Sequence, residues 1–160
     1  MEGEARVLGP DDPSALLTLV QLAALLRDQK RYEESESLYR RVVEGRTRSM
    51  GAEARNTLAA RHSLGNVLNK MGRFAEAETE IRETLTARQR VLGPERANTL
   101  WTRFNLGTTL KGLGRLDEAE AEWRTVLEIA ERVLGEEHNC TVKTREALAG
   151  LRGSEDDQTS

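Results

Sequence analysis

Cysteine occurs once, at Cys140, so no disulfide can close within the chain and a disulfide-stapled secreted fold is excluded. Histidine is nearly as scarce. His62 and His138 lie far apart, and the His138-x-Cys140 pair offers two donors where a metal site needs three or four, so neither a metal nor another cofactor is expected. Long apolar runs are missing too: the longest, Leu16 to Leu26, is broken by Thr18 and Gln21, which argues against a membrane span. The opening MEGEARVLGPDD has neither the basic start nor the apolar core of a secretion signal, and we expect a cytoplasmic protein. A net charge of −3 gives no general attraction to nucleic acid or to acidic membranes. Arginine outnumbers lysine 20 to 4, a bias that suggests a GC-rich, bacterial genome.

What the chain has in abundance is itself. GRLDEAEAEWRTVL at 114–127 nearly copies GRFAEAETEIRETL at 72–85, and KRYEESESLYRRVV at 30–43 is a weaker version of both. The three phrases start 42 residues apart, and Gly9, Gly51, Gly93 and Gly135 fall on the same comb, as do Leu22, Leu64, Leu106 and Leu148. Residues 51–92 and 93–134 agree at 20 of 42 positions, so the chain is a tandem repeat and is read as one.

Within a repeat, Leu100, Phe104, Leu106, Leu110 and Leu113 recur at helical steps and predict a helix over 98–112. Gly114 ends it. Leu116, Ala119, Trp123, Val126, Leu127 and Ala130 then predict an antiparallel second helix over 117–133, with Asn98 or Thr99 as N-cap of the first. Small residues stand where the paired helices must approach: Ala23, Gly65, Gly107 and Ala149 on first helices, Ser35, Ala77 and Ala119 on second ones. Leu22, Leu64 and Leu106 are expected as buried knobs. A single unit cannot bury its apolar face alone, so neighbouring units must stack.

The phrase Leu106-Gly107, Leu110, Gly114-Arg115, Glu118-Ala119-Glu120 resembles the tetratricopeptide repeat. The 42-residue period, with Arg90 to Glu95 and Thr99-Leu100 between units, is similar to the long-helix subtype of kinesin light chains and of bacterial and fungal signalling proteins. The resemblance implies an all-α fold, a right-handed α-solenoid of antiparallel helix pairs. We expect an N-terminal tail at 1–6, a solenoid over 7–152 with repeats 9–50, 51–92 and 93–134 and a capping helix at 140–151, and a disordered tail at 153–160.

Catalytic residues are not expected. Glu76, Glu78 and Glu80, with Glu118, Glu120 and Glu122, recur in register with arginines one turn away and read as a solvated, ion-paired face. The column Arg61, Arg103, Arg145 is expected to pack between helices and pair with those glutamates, an anion-binding ladder being the alternative. The resemblance implies a non-catalytic scaffold that holds a peptide or helix of an unidentified partner protein in a concave groove lined by first helices. The implied groove residues are Leu17, Val20 and Ala24, then Ala59, His62, Asn66 and Asn69, then Trp101, Phe104, Thr108 and Lys111. Asn66, Asn69 and Asn105 would bond the peptide backbone. Trp101 and Phe104, on one helical face, either anchor the ligand or finish the core. Of the Asn-Lys-Arg set that grips a chain-terminal carboxylate in chaperone-binding members, only Asn66 has a counterpart. A second expectation is self-association as a homodimer through the apolar first helix at 14–29, by Leu16, Leu17, Val20 and Leu25.

Overall fold

The computed structural model describes residues 9–156, and its helices follow the repeat. They are α1 (Pro13–Asp28), α2 (Tyr32–Met50), α3 (Arg55–Lys70), α4 (Phe74–Val91), α5 (Ala97–Gly112), α6 (Leu116–Val133) and α7 (Asn139–Asp156). Among the described residues there is no strand, and no helix is long and apolar enough to cross a membrane. Each helix packs on its chain neighbours, which makes an α-solenoid of three antiparallel pairs and one further helix. In addition α3 meets α5 and α5 meets α7, whereas α2, α4 and α6 make no comparable contacts with one another. First helices therefore line the inner, concave side of the stack.

The helices expected at 14–29, 98–112 and 117–133 lie within a residue of α1, α5 and α6, but three expectations need correction. The last helix continues to Asp156, past the expected end at 151 and through the first part of the expected disordered tail; residues 157–160, like the N-terminal tail 1–6, lie outside the described residues. Neither Asn98 nor Thr99 caps α5. Its N-cap is Arg96, with extended backbone and no side-chain cap, and Thr99 is buried in the first turn. Only α1 has a side-chain cap among α1 to α6, Asp12 accepting from the backbone N–H groups of Ser14 and Ala15 at 2.9 and 3.1 Å. The other helices depend on their neighbours for stability more than on their ends.

The third correction concerns the leucine column. Leu64 and Leu106 are buried, as expected, but Leu22 is 43% exposed. The reason is positional: α3 and α5 each lie against a preceding second helix, and among the described residues α1 has none. Ala149 is likewise exposed, because among the described residues no second helix follows α7 to pair with it. Where both partners exist, the small residues do what their spacing implies. A Cβ on Gly65 would stand 2.6 Å from Ile81 Cγ1, and one on Gly107 would strike the Trp123 indole. In the first pair Ser35 fills the small position and donates its hydroxyl to the Ala23 carbonyl at 2.7 Å.

Charged columns repeat with the same period. Arg61 pairs with Glu80 and Glu83, Arg103 with Glu122, and Arg145 with Glu131. The loop arginines Arg73 and Arg115 reach back to Glu36 and Glu78, at 2.6 and 2.9 Å, and so tie successive second helices together. Most of these pairs are partly exposed and each contributes little alone.

Candidate functional site

Three first helices supply the concave face, and their side chains follow from where each helix sits. On α1, Leu17 is exposed and Val20 and Ala24 are half-buried. Ala59, near the start of α3, is exposed. Between the C-terminal halves of α3 and α5 lies a cavity of about 460 Å³. Asn66, Asn69, Phe104, Asn105, Thr108 and Lys111 all line it, so six of the expected groove residues meet at one place. Lys70, Phe74 and Gly112 line it as well and were not expected. The missed signal is Gly112: its counterpart one repeat earlier is Lys70, and a Cβ at 112 would run into the Phe74 ring. That ring enters from α4, so no first-helix pattern announces it.

Closer to the middle of the seam the two helices are joined by polar side chains. His62 Nδ1 lies 3.3 Å from Thr102 Oγ1 and its Nε2 lies 3.4 Å from Asn105 Nδ2. A consistent arrangement has Asn105 donating to Nε2 and the Nδ1 proton directed at Thr102. Burial, with the Arg88 guanidinium nearby, lowers the His62 pKa to about 4, so the ring is neutral at physiological pH. One turn on, Thr109 donates to Asn69 Oδ1 at 2.9 Å.

These bonds decide which expected ligand groups remain available. Asn105 is buried and turned toward His62, so it braces the seam instead of facing a peptide. Asn69 has its oxygen engaged while Nδ2 has no acceptor. Asn66 is half-buried and makes no side-chain hydrogen bond among the described residues, leaving its amide free in the cavity wall.

The two aromatic rings divide their surface between core and groove. Trp101 and Phe104 meet edge to face with centroids 5.5 Å apart, and Phe104 lies 5.9 Å from Trp123, whose indole N–H donates to the Phe104 carbonyl at 3.0 Å. Phe104 packs on the main core and Trp101 on a second cluster of Leu100, Val126, Ala130 and Cys140. Both stay half-buried, and only Phe104 reaches the cavity. Leu16, expected on a self-association face, is 1% exposed and fits against Gly45 of α2, so it belongs to the fold. Cys140 is fully buried, and burial raises its thiol pKa.

Stacked helix pairs with an inner face of first helices define a helical-repeat scaffold. A tetratricopeptide repeat family model matches residues 14–79 and 56–121, and the chain belongs to that family. Repeats of this kind are in general protein-interaction scaffolds and typically non-catalytic. None of the curated proteins matches the chain.

Among solved structures, BtubC (BKLC) from P. vanneervenii superposes with a TM-score of 0.80 at 19% identity, over 96% of this chain and 61% of that one. A singly substituted form of a kinesin-light-chain-type protein with nearly identical repeats, from Podosopora anserina, gives 0.72 at 22% identity, over 81% of this chain and 61% of its own. A tetratricopeptide-like protein of Chlorobium tepidum gives 0.66 at 19% identity, over 85% and 93%. At these identities the likeness is one of fold. This chain spans about three-fifths of the length of the first two.

Proposed function

We propose that this protein is a cytoplasmic, non-catalytic adaptor that holds a peptide or helix of a partner protein along the α3–α5 seam. One observation carries the reading: the cavity beside Phe104 combines an apolar ring with the free amide of Asn66 and the half-buried hydroxyl side chain of Thr108. An apolar anchor next to backbone-directed polar groups is the arrangement that recognises a peptide. Panning a random peptide library against the wild-type protein and an Asn66→Arg/Thr108→Arg variant tests it. Both side chains line the cavity and neither is fully buried, so the variant should keep its helicity. Peptides that bind the wild type and fall roughly tenfold or more in affinity for the variant are expected, the loss of one or two good contacts. Peptides that bind both equally would contradict the groove.

A second reading rests on α1. Leu22 stands in the column where Leu64 and Leu106 are buried, yet it is exposed together with Leu17 and Leu25, at 43%, 52% and 53%. Leu22 and Leu25 stand where Leu64 and Val67 are buried in a helix that packs on a preceding second helix, and a second copy of the chain would cover them. Sedimentation equilibrium at micromolar concentration decides: a dimer supports this reading, and a strict monomer removes it.

A further inference from the structure

At the other end of the same seam, where α4 finishes and α3 and α5 begin, a cavity of about 420 Å³ is lined by Arg55, Asn56, Arg88, Arg96, Ala97 and Asn98. Three arginines line it, and no carboxylate does. Among the described residues none of the three pairs with an Asp or Glu, although most of the other arginines do.

Arg88 is the most unusual of them. It is only 5% exposed, its Nη1 donates to the Asn98 carbonyl at 2.9 Å and to Thr102 Oγ1 at 2.8 Å, and its Nε has no acceptor. A buried charge with no counter-charge is costly, and an anion in the cavity would offset that cost. The start of α5 points the same way. Its N-cap, Arg96, supplies no side-chain acceptor, so the first-turn N–H groups of Ala97, Asn98 and Thr99 lack a side-chain partner, and the helix dipole adds positive potential.

The cluster is not a by-product of the repeat. Arg88 has a counterpart in Arg46, which donates to the Asn56 carbonyl at 2.7 Å in the same structural role. The other two are departures. One period away from Arg55 stand Pro13 and Ala97, and one period away from Arg96 stand Ala54 and His138. The two junctions between successive repeats share the buried arginine, and only the second gathers two more around it.

We propose that Arg55, Arg88, Arg96 and the first turn of α5 form an oxyanion site that takes a phosphate group, either free or carried on a phosphorylated side chain. The assignment does not depend on peptide binding at the far end of the seam. Forked guanidinium donors and helix-terminal N–H groups both match phosphate oxygens.

Nitrogen-15 NMR titrations with inorganic phosphate and with O-phosphoserine, against sodium chloride at equal ionic strength, test the site on the wild type and on Arg55→Gln/Arg96→Gln. The expected result is a saturable shift of the Ala97, Asn98 and Thr99 amides with phosphate, not with chloride, and a loss of roughly tenfold or more in affinity in the variant. Tighter binding of phosphoserine would place the group on a modified side chain, and equal binding would make it free phosphate. Absence of a saturable shift at these amides in the wild type overturns the proposal, as does undiminished affinity in a folded variant. Should the double variant unfold, Arg96→Gln alone replaces it under the same two criteria.

Discussion

Lys30 holds a backbone conformation that its counterparts assign to glycine. Its φ is 62°, against 74° at Gly72 and 76° at Gly114, the turns that join the two helices of the other units. A side chain in the left-handed region costs roughly 1–2 kcal/mol, partly offset by the greater freedom that glycine loses on folding. Lys30→Gly is therefore expected to stabilise the protein by about 0.5–1 kcal/mol in urea unfolding. His62 sets a pH dependence of its own. Its pKa is about 4 in the folded chain, below the ordinary value of 6.5. Between those values the unfolded chain binds more protons, so stability is complete above pH 6.5 and is lost as the pH falls toward 4. The loss is on the order of 1–3 kcal/mol. Asp11, Glu76 and Glu118 are held low by hydrogen bonds from Arg48, Arg73 and Arg115, so they titrate below their usual range and act at lower pH. Thermal melts from pH 7 to pH 4.5 should show a falling midpoint in the wild type and a flatter profile in His62→Gln. An equal slope in both would mean that His62 stays protonatable in the folded state.

The helices were legible because the first helix of the unit appears four times and the second three times, and a common period of 42 residues fixes turns and core columns together. What the repeat cannot convey is which neighbours a given copy possesses. Leu22 and Leu64 occupy the same register, yet only Leu64 has a second helix before it, and the two differ from 43% to 2% exposed. Their truncations should differ accordingly. Leu64→Ala is expected to cost about 2–5 kcal/mol, the range for a buried leucine, and Leu22→Ala well under half as much in the monomer. Equal costs in denaturant unfolding would show that the α1 face is covered in solution. The site was legible in a similar, partial way. Residues on first helices were found because they share a face, whereas Phe74 enters the cavity from a second helix, and the engagement of Asn105 depends on a histidine 43 residues away. The gathering of Arg55, Arg88 and Arg96 joins three elements and shows only in three dimensions.

At the scale of the molecule, curvature brings the first helices together and leaves the second helices to an outer face dressed in arginine–glutamate pairs. The inner face is where the repeat units differ most: α1 offers leucine and valine, α3 histidine and asparagine, α5 two aromatic rings. A scaffold held constant while its inner surface varies is suited to selecting one partner among many. We propose that this surface, at the α3–α5 seam, holds the partner. The most direct test is the affinity of one library-selected peptide for the wild type, for Asn66→Arg/Thr108→Arg, and for Arg82→Glu on the exposed side of α4. Loss of binding in the groove variant alone is the expected result; binding lost through Arg82→Glu and kept in the groove variant would place the partner on the outer face instead.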